Sequence, residues 1–184
     1  MKKKLTYLFI ATAITLAGSL TSCNKVKDIL EITLEDFAYA VEVPVEIGAT
    51  KGSSIPFSGS GPFDPNASPG DESFGKIIKR VDLKSITIMV SELQASSDVI
   101  IEDAEFVITD DVTGKSLIFE ITDPITIYPF MDFTIDPSTP NFSVLADILK
   151  DLHPATITIV GHVNQNEIAL TFMYNIVADL TLGV

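Results

Sequence analysis

The chain has 184 residues, with 12 Lys and Arg against 25 Asp and Glu, a net charge of −13, one cysteine and no tryptophan. That length holds one ordinary domain of roughly 100–200 residues with one sizeable core, and leaves no room for a second catalytic domain. The charge excludes a nucleic-acid partner, because phosphate binding needs clustered Lys and Arg and Arg80 is the only arginine. A lone cysteine excludes an internal disulfide and a Cys-rich zinc site.

Residues 1–22 open on Lys2, Lys3 and Lys4 and continue without charge from Leu5 to Ser22. The run is short for a spanning helix and reads as a secretory signal. It ends in Leu20-Thr21-Ser22-Cys23, which resembles the lipobox of bacterial lipoproteins. The resemblance implies that Leu20, Thr21 and Ser22 guide the signal peptidase, and that Cys23 becomes the diacylated and N-acylated first residue of the mature chain. Each buried CH₂ contributes about 0.8 kcal/mol, so three acyl chains anchor a domain without any spanning segment. Cleavage takes three lysines and no acid from the net −13, which leaves −16 on the mature chain. In enterobacterial-type lipoproteins an aspartate after the cysteine retains the protein at the inner membrane. Here that residue is Asn24, so the resemblance implies the outer membrane, with the domain facing the periplasm or the cell surface. Residues 23–28 form the lipidated tether.

Within 29–184 the first strand candidate is Ile29 to Leu34. From Phe37 to Ile47 apolar residues fall at every odd position, the period of a half-buried strand. Pro44 has no N–H for a ladder and predicts an edge or a bulge there. Residues 48–75 hold six of the ten glycines and four of the ten prolines and read as one long loop. In Arg80 to Val90 the apolar phase shifts from Val81 and Leu83 to Ile86, Ile88 and Val90, which predicts a bulge near Lys84-Ser85.

Val99 to Ile101 is a further strand. Glu105 to Thr109 and Ser116 to Thr122 predict a hairpin whose turn uses a positive φ at Gly114. Ile125 to Ile135 follows as a strand. Thr139-Pro140 reads as a cap and first turn, and Phe142, Leu145, Ala146, Leu149 and Leu152 recur at helical spacing, so a short helix is expected near 140–152. The alternating segments Ala155 to Val163 and Ile168 to Leu182 predict a terminal hairpin across Asn164-Gln165-Asn166. The expected architecture is mainly β, a single antiparallel two-sheet sandwich with one helix. It resembles the immunoglobulin-like domains of secreted bacterial proteins in architecture alone, since the Cys…Trp…Cys signature is absent.

Little in the chain points to catalysis. There is no Gly-x-Ser-x-Gly elbow, and the only histidines, His153 and His162, lack zinc-hydrolase spacing. No cofactor is expected. Calcium is the one metal to weigh, because Asp64, Asn66 and Ser68 alternate ahead of Asp71 and Glu72. However, the glycine is one place late, at Gly70, and position twelve is Gly75 where an EF-hand carries glutamate. Phe57 and Phe63, with Asp64, Asn66 and Asp71, are the expected contacts of a binding loop, and Tyr128 is a further aromatic contact. The function expected is non-enzymatic: a lipoprotein with a binding or assembly role, held to the bilayer by Cys23, with a protein or glycan partner. The rival is a carrier of lipid or another hydrophobic ligand in a barrel-like cavity.

Overall fold

The computed structural model describes residues 31–47, 54–67 and 78–183. Cys23, its lipobox residues Leu20, Thr21 and Ser22, the tether and Asp71 lie outside the described residues. In chain order the elements are β1 (Glu31–Ile47), β2 (Ile55–Phe63), a 3₁₀ turn (Pro65–Ala67), β3 (Ile78–Gln94), β4 (Val99–Asp110), β5 (Ser116–Ile121), β6 (Ile125–Ile127), β7 (Asp132–Ile135), α1 (Ser143–Asp151), β8 (Ala155–Val163) and β9 (Ala169–Gly183). All strands join one antiparallel sheet of order β5-β4-β8-β2-β1-β9-β3-β7, and β6 continues along β4 beside β5.

The fold is therefore mainly β with one short helix, as expected, but the two separate sheets of a sandwich are replaced by one sheet bent almost into a barrel. The cause is β1. It pairs with β9 along nearly its whole length and also meets β2, though only from Val45 to Ile47. Pro44 cannot donate to a ladder, and the β1–β2 ladder stops at the residue beside it. The sheet folds over at that weak seam. Across the interior, the Phe106 ring on β4 lies 5.4 Å from Phe172 on β9 and 6.5 Å from Phe133 on β7, and Tyr39 lies 5.6 Å from Phe63.

The free edges β5 and β7 do not pair with each other. Helix α1 packs against β3, β4 and β5 through Val144, Leu145, Ile148 and Leu149. It starts later than the sequence predicts, because Asn141 takes a left-handed φ of 63° and interrupts the turn begun at Thr139. It stops at Leu152, also left-handed, whose N–H returns to the Ile148 carbonyl.

Two further expectations are corrected. Residues 48–75 are not a single loop, because Ile55–Phe63 is β2, paired with β8 along its full length. Its inward positions are Ile55, Phe57, Gly59, Gly61 and Phe63, with Pro56, Ser58, Ser60 and Pro62 exposed. The two inward glycines hide the apolar alternation, and packing requires one of them: a Cβ on Gly59 would lie 2.6 Å from the Pro44 carbonyl oxygen. The terminal hairpin is also absent, since β8 lies between β2 and β4 while β9 lies between β1 and β3. The connecting residues are pulled toward the β3–β4 loop instead. The Ile100 N–H donates to Asn164 Oδ1 at 2.8 Å, and the Ser97 hydroxyl to Gln165 Oε1 at 2.6 Å.

In the core, Tyr174 is fully buried and its hydroxyl has no partner among the described residues. Burial pushes this phenol above its ordinary pKa. Because an unpaired buried hydroxyl is destabilising, Tyr174→Phe is expected to raise stability by about 1 kcal/mol in urea unfolding. A loss of stability would show that the hydroxyl has a partner.

Candidate functional site

Where β2, β8, β4 and β5 lie side by side, their outward faces form a groove of about 580 Å³. Register sets its rows. Pro56, His162 and Asp103 align across three strands, and Ser58, Val160, Glu105 and Glu120 across four. A bulge between Ile101 and Asp103 turns Asp103 outward, opposite His162. There Nδ1 of His162 lies 3.0 Å from both oxygens of the carboxylate. Between the rows the lining is apolar, with Phe57, Ala104, Gly161 and Ile121, beside half-exposed Val160 in the second row. The groove lies at the end of the sheet where β1 finishes. Glu31, at the start of β1, is 16 residues away along the strand, about 50 Å.

The other end of β4 carries a buried polar cluster. Asp110, only 2% exposed, accepts hydrogen bonds from the Val112 N–H at 2.8 Å, the Thr113 N–H at 3.1 Å and the Thr113 hydroxyl at 2.7 Å, and its Oδ2 lies 3.0 Å from His153 Nδ1. Burial alone would raise this carboxyl. The hydrogen bonds from His153, from the Thr113 hydroxyl and from the Thr113 and Val112 amides outweigh it and hold the group well below the usual carboxylate range. Gly114, with φ 71°, closes the turn as predicted, and the cluster ties that turn to the segment after α1. Among the described residues no serine or threonine hydroxyl is hydrogen-bonded to either histidine ring.

A third feature joins β6 to β7. Tyr128 and Phe130 are 60% and 72% exposed, and Phe130 holds a left-handed φ of 66°. Its N–H donates to the Val90 carbonyl at 2.8 Å, and the Val90 N–H donates to the Met131 carbonyl at 2.8 Å. Tyr128 is thus presented to solvent.

The expected loop contacts fall elsewhere. Phe57 and Phe63, each 3% exposed, belong to the core of β2 and are not free apolar contacts. Of the two, only Phe57 lines the groove. Asp64 and Asn66 fold onto each other: Asp64 Oδ1 accepts from the Asn66 N–H at 2.9 Å, and Asn66 Nδ2 reaches the Leu152 carbonyl at 3.2 Å. They fasten the 3₁₀ turn to the helix end. The described residues include no group of three or more His, Cys, Asp or Glu placed to hold a metal. Sequence reasoning missed Asp103, Glu105, Glu120 and Val160. Val160 was the available signal, since it interrupts the apolar–polar alternation of β8 with an exposed apolar residue.

No family model matches the chain, and no curated protein is similar to it in sequence. Among solved structures, a chain of the mud crab tombus-like virus is 7% identical with a TM-score of 0.38, covering 84% of this chain and 82% of that one. A chain of desmodium yellow mottle tymovirus is 10% identical with a TM-score of 0.30, covering 84% of each.

Proposed function

We propose that the protein is a lipid-anchored, non-enzymatic binding or assembly module of the bacterial outer membrane. The observation that carries this reading is the position of the only cysteine, Cys23, directly after a cationic and then uncharged run of 22 residues. Once acylated, Cys23 would hold the bilayer, and the eight residues to Glu31 reach at most about 29 Å. The start of β1 would then lie near the head groups and the groove at the far end, open to a partner. The aromatic rings that meet across the interior favour a binding surface on the outside over a carrier's lumen.

Export and acylation are tested together by labelling cells with radioactive palmitate. The wild-type chain is expected to take up label and sediment with membranes, and Cys23→Ser to lose both properties. Equal labelling of the two overturns the reading.

A further inference from the structure

We infer that the outer edge of β5, with the groove beside it, is a docking site for an extended peptide segment that alternates basic and apolar residues. The inference rests on the binding role proposed above. Strand β5 pairs with β4 on one side, and among the described residues no strand pairs with its other side. A free edge of this kind accepts a further antiparallel or parallel strand through its backbone groups. The side chains that face outward along β5 are Ile118, 42% exposed, and Glu120, also exposed.

Charge identifies the occupant. Glu105 lies directly opposite Glu120, and like charges so placed destabilise a strand pair. No ion pair among the described residues relieves them. Lys79, Arg80 and Lys84 pair with Glu31, Asp82, Asp36 and Asp179, toward the other end of the sheet, and Asp103 pairs only with His162. A strand added beyond β5 would extend two of the existing rows. A basic side chain would join the row of Glu105 and Glu120, and two residues along, an apolar one would join the row of Val107 and Ile118.

Other occupants fit less well. A second copy of this chain would bring another net charge of −13 to the same edge. The basic tether at Lys25 and Lys27 cannot reach, because the residues from Lys27 to Glu31 span about 14 Å and the groove is about 50 Å along β1 from Glu31.

The test uses the full-length protein in a non-ionic detergent and a fluorescent seven-residue peptide, serine throughout except for lysine, valine and lysine at alternate positions. Fluorescence anisotropy is expected to show saturable binding that weakens with salt. Binding should fall at least tenfold for a glutamate-for-lysine peptide, and also for a peptide N-methylated on one edge, which keeps its charge but cannot pair. The double variant Glu105→Gln with Glu120→Gln should lose binding to the same extent while its far-UV CD stays unchanged. The inference is overturned if the wild-type protein fails to bind the basic peptide, or if the N-methylated peptide binds equally. Both of these outcomes are independent of how the double variant folds. A shift to dimers on gel filtration without peptide binding also overturns it, in favour of a second copy. Palmitate labelling of the same preparation separates the two readings: labelled protein that ignores the peptide sinks only the docking site, and unlabelled protein that binds it sinks only the anchor.

Discussion

Gly161→Ala is expected to destabilise the domain by about 3 kcal/mol, the upper end of what overpacking costs. A Cβ at this position would lie 2.3 Å from the Asp103 carbonyl oxygen, 2.7 Å from the Phe57 ring and 2.9 Å from the Ala104 Cα. Two of the three are backbone atoms of the bulged strand β4, which cannot rotate away as a side chain could. The methyl must therefore push β8 away from β4, in the middle of a ladder that runs from Ile101 to Asp110. A fall of about 10 °C in the thermal midpoint is the corresponding readout. Val160→Ala, next along the strand but exposed, should change stability by about 0.5 kcal/mol or less. Equal effects at the two positions would refute the close approach of β4 and β8.

Asp110→Ala should cost a similar amount, about 3 kcal/mol. It removes the buried acceptor that the Val112 and Thr113 N–H groups and the His153 ring share. The pH dependence distinguishes this cause from simple packing. The folded carboxyl titrates well below the ordinary aspartate value of about 3.9. Below that pH the unfolded chain takes up a proton that the folded chain refuses, so stability falls with acid. The advantage of wild type over Asp110→Ala is thus full above about pH 5 and shrinks as the pH drops through 4 and 3. Urea titrations at pH 7 and pH 3 that show the same gap would exclude this account.

Local features could be read from the sequence and distant partnerships could not. The bulge predicted near Lys84-Ser85 appears as the register shift between Leu83 and Ser85, because a phase change in apolar residues is the direct imprint of an extra residue. The glycine of the β4–β5 turn and the long alternations of β1 and β9 were visible for the same reason. β2 was missed because Gly59 and Gly61 occupy its inward positions and Pro56 and Pro62 its outward ones, so neither its hydropathy nor its composition looks like a strand. The terminal hairpin was inferred from nearness in the chain, whereas Asn164 and Gln165 hold that connection against the β3–β4 loop. Beyond the apolar Val160 that breaks the alternation of β8, the groove was out of reach. Its rows join Pro56, Asp103, Glu120 and His162 from four strands, and they exist only once three registers are set.

The pairing of Glu31 with Gly183 also governs when this molecule can become itself. β9 lies between β1 and β3, so the centre of one half of the sheet is made from the strand furthest from β1 along the chain among the described residues. Until residue 183 has left the ribosome, β1 and β3 lack the strand that joins them, and only partial structures can form. Pairings this remote in sequence close slowly, on the millisecond-to-second scale of high-contact-order β proteins. Under the proposed export route that delay is useful, because translocation requires an unfolded chain and this one lacks its joining strand until β9 has emerged. The same delay leaves its apolar strands uncovered until β9 is in place, the interval in which copies of the chain can pair wrongly with one another.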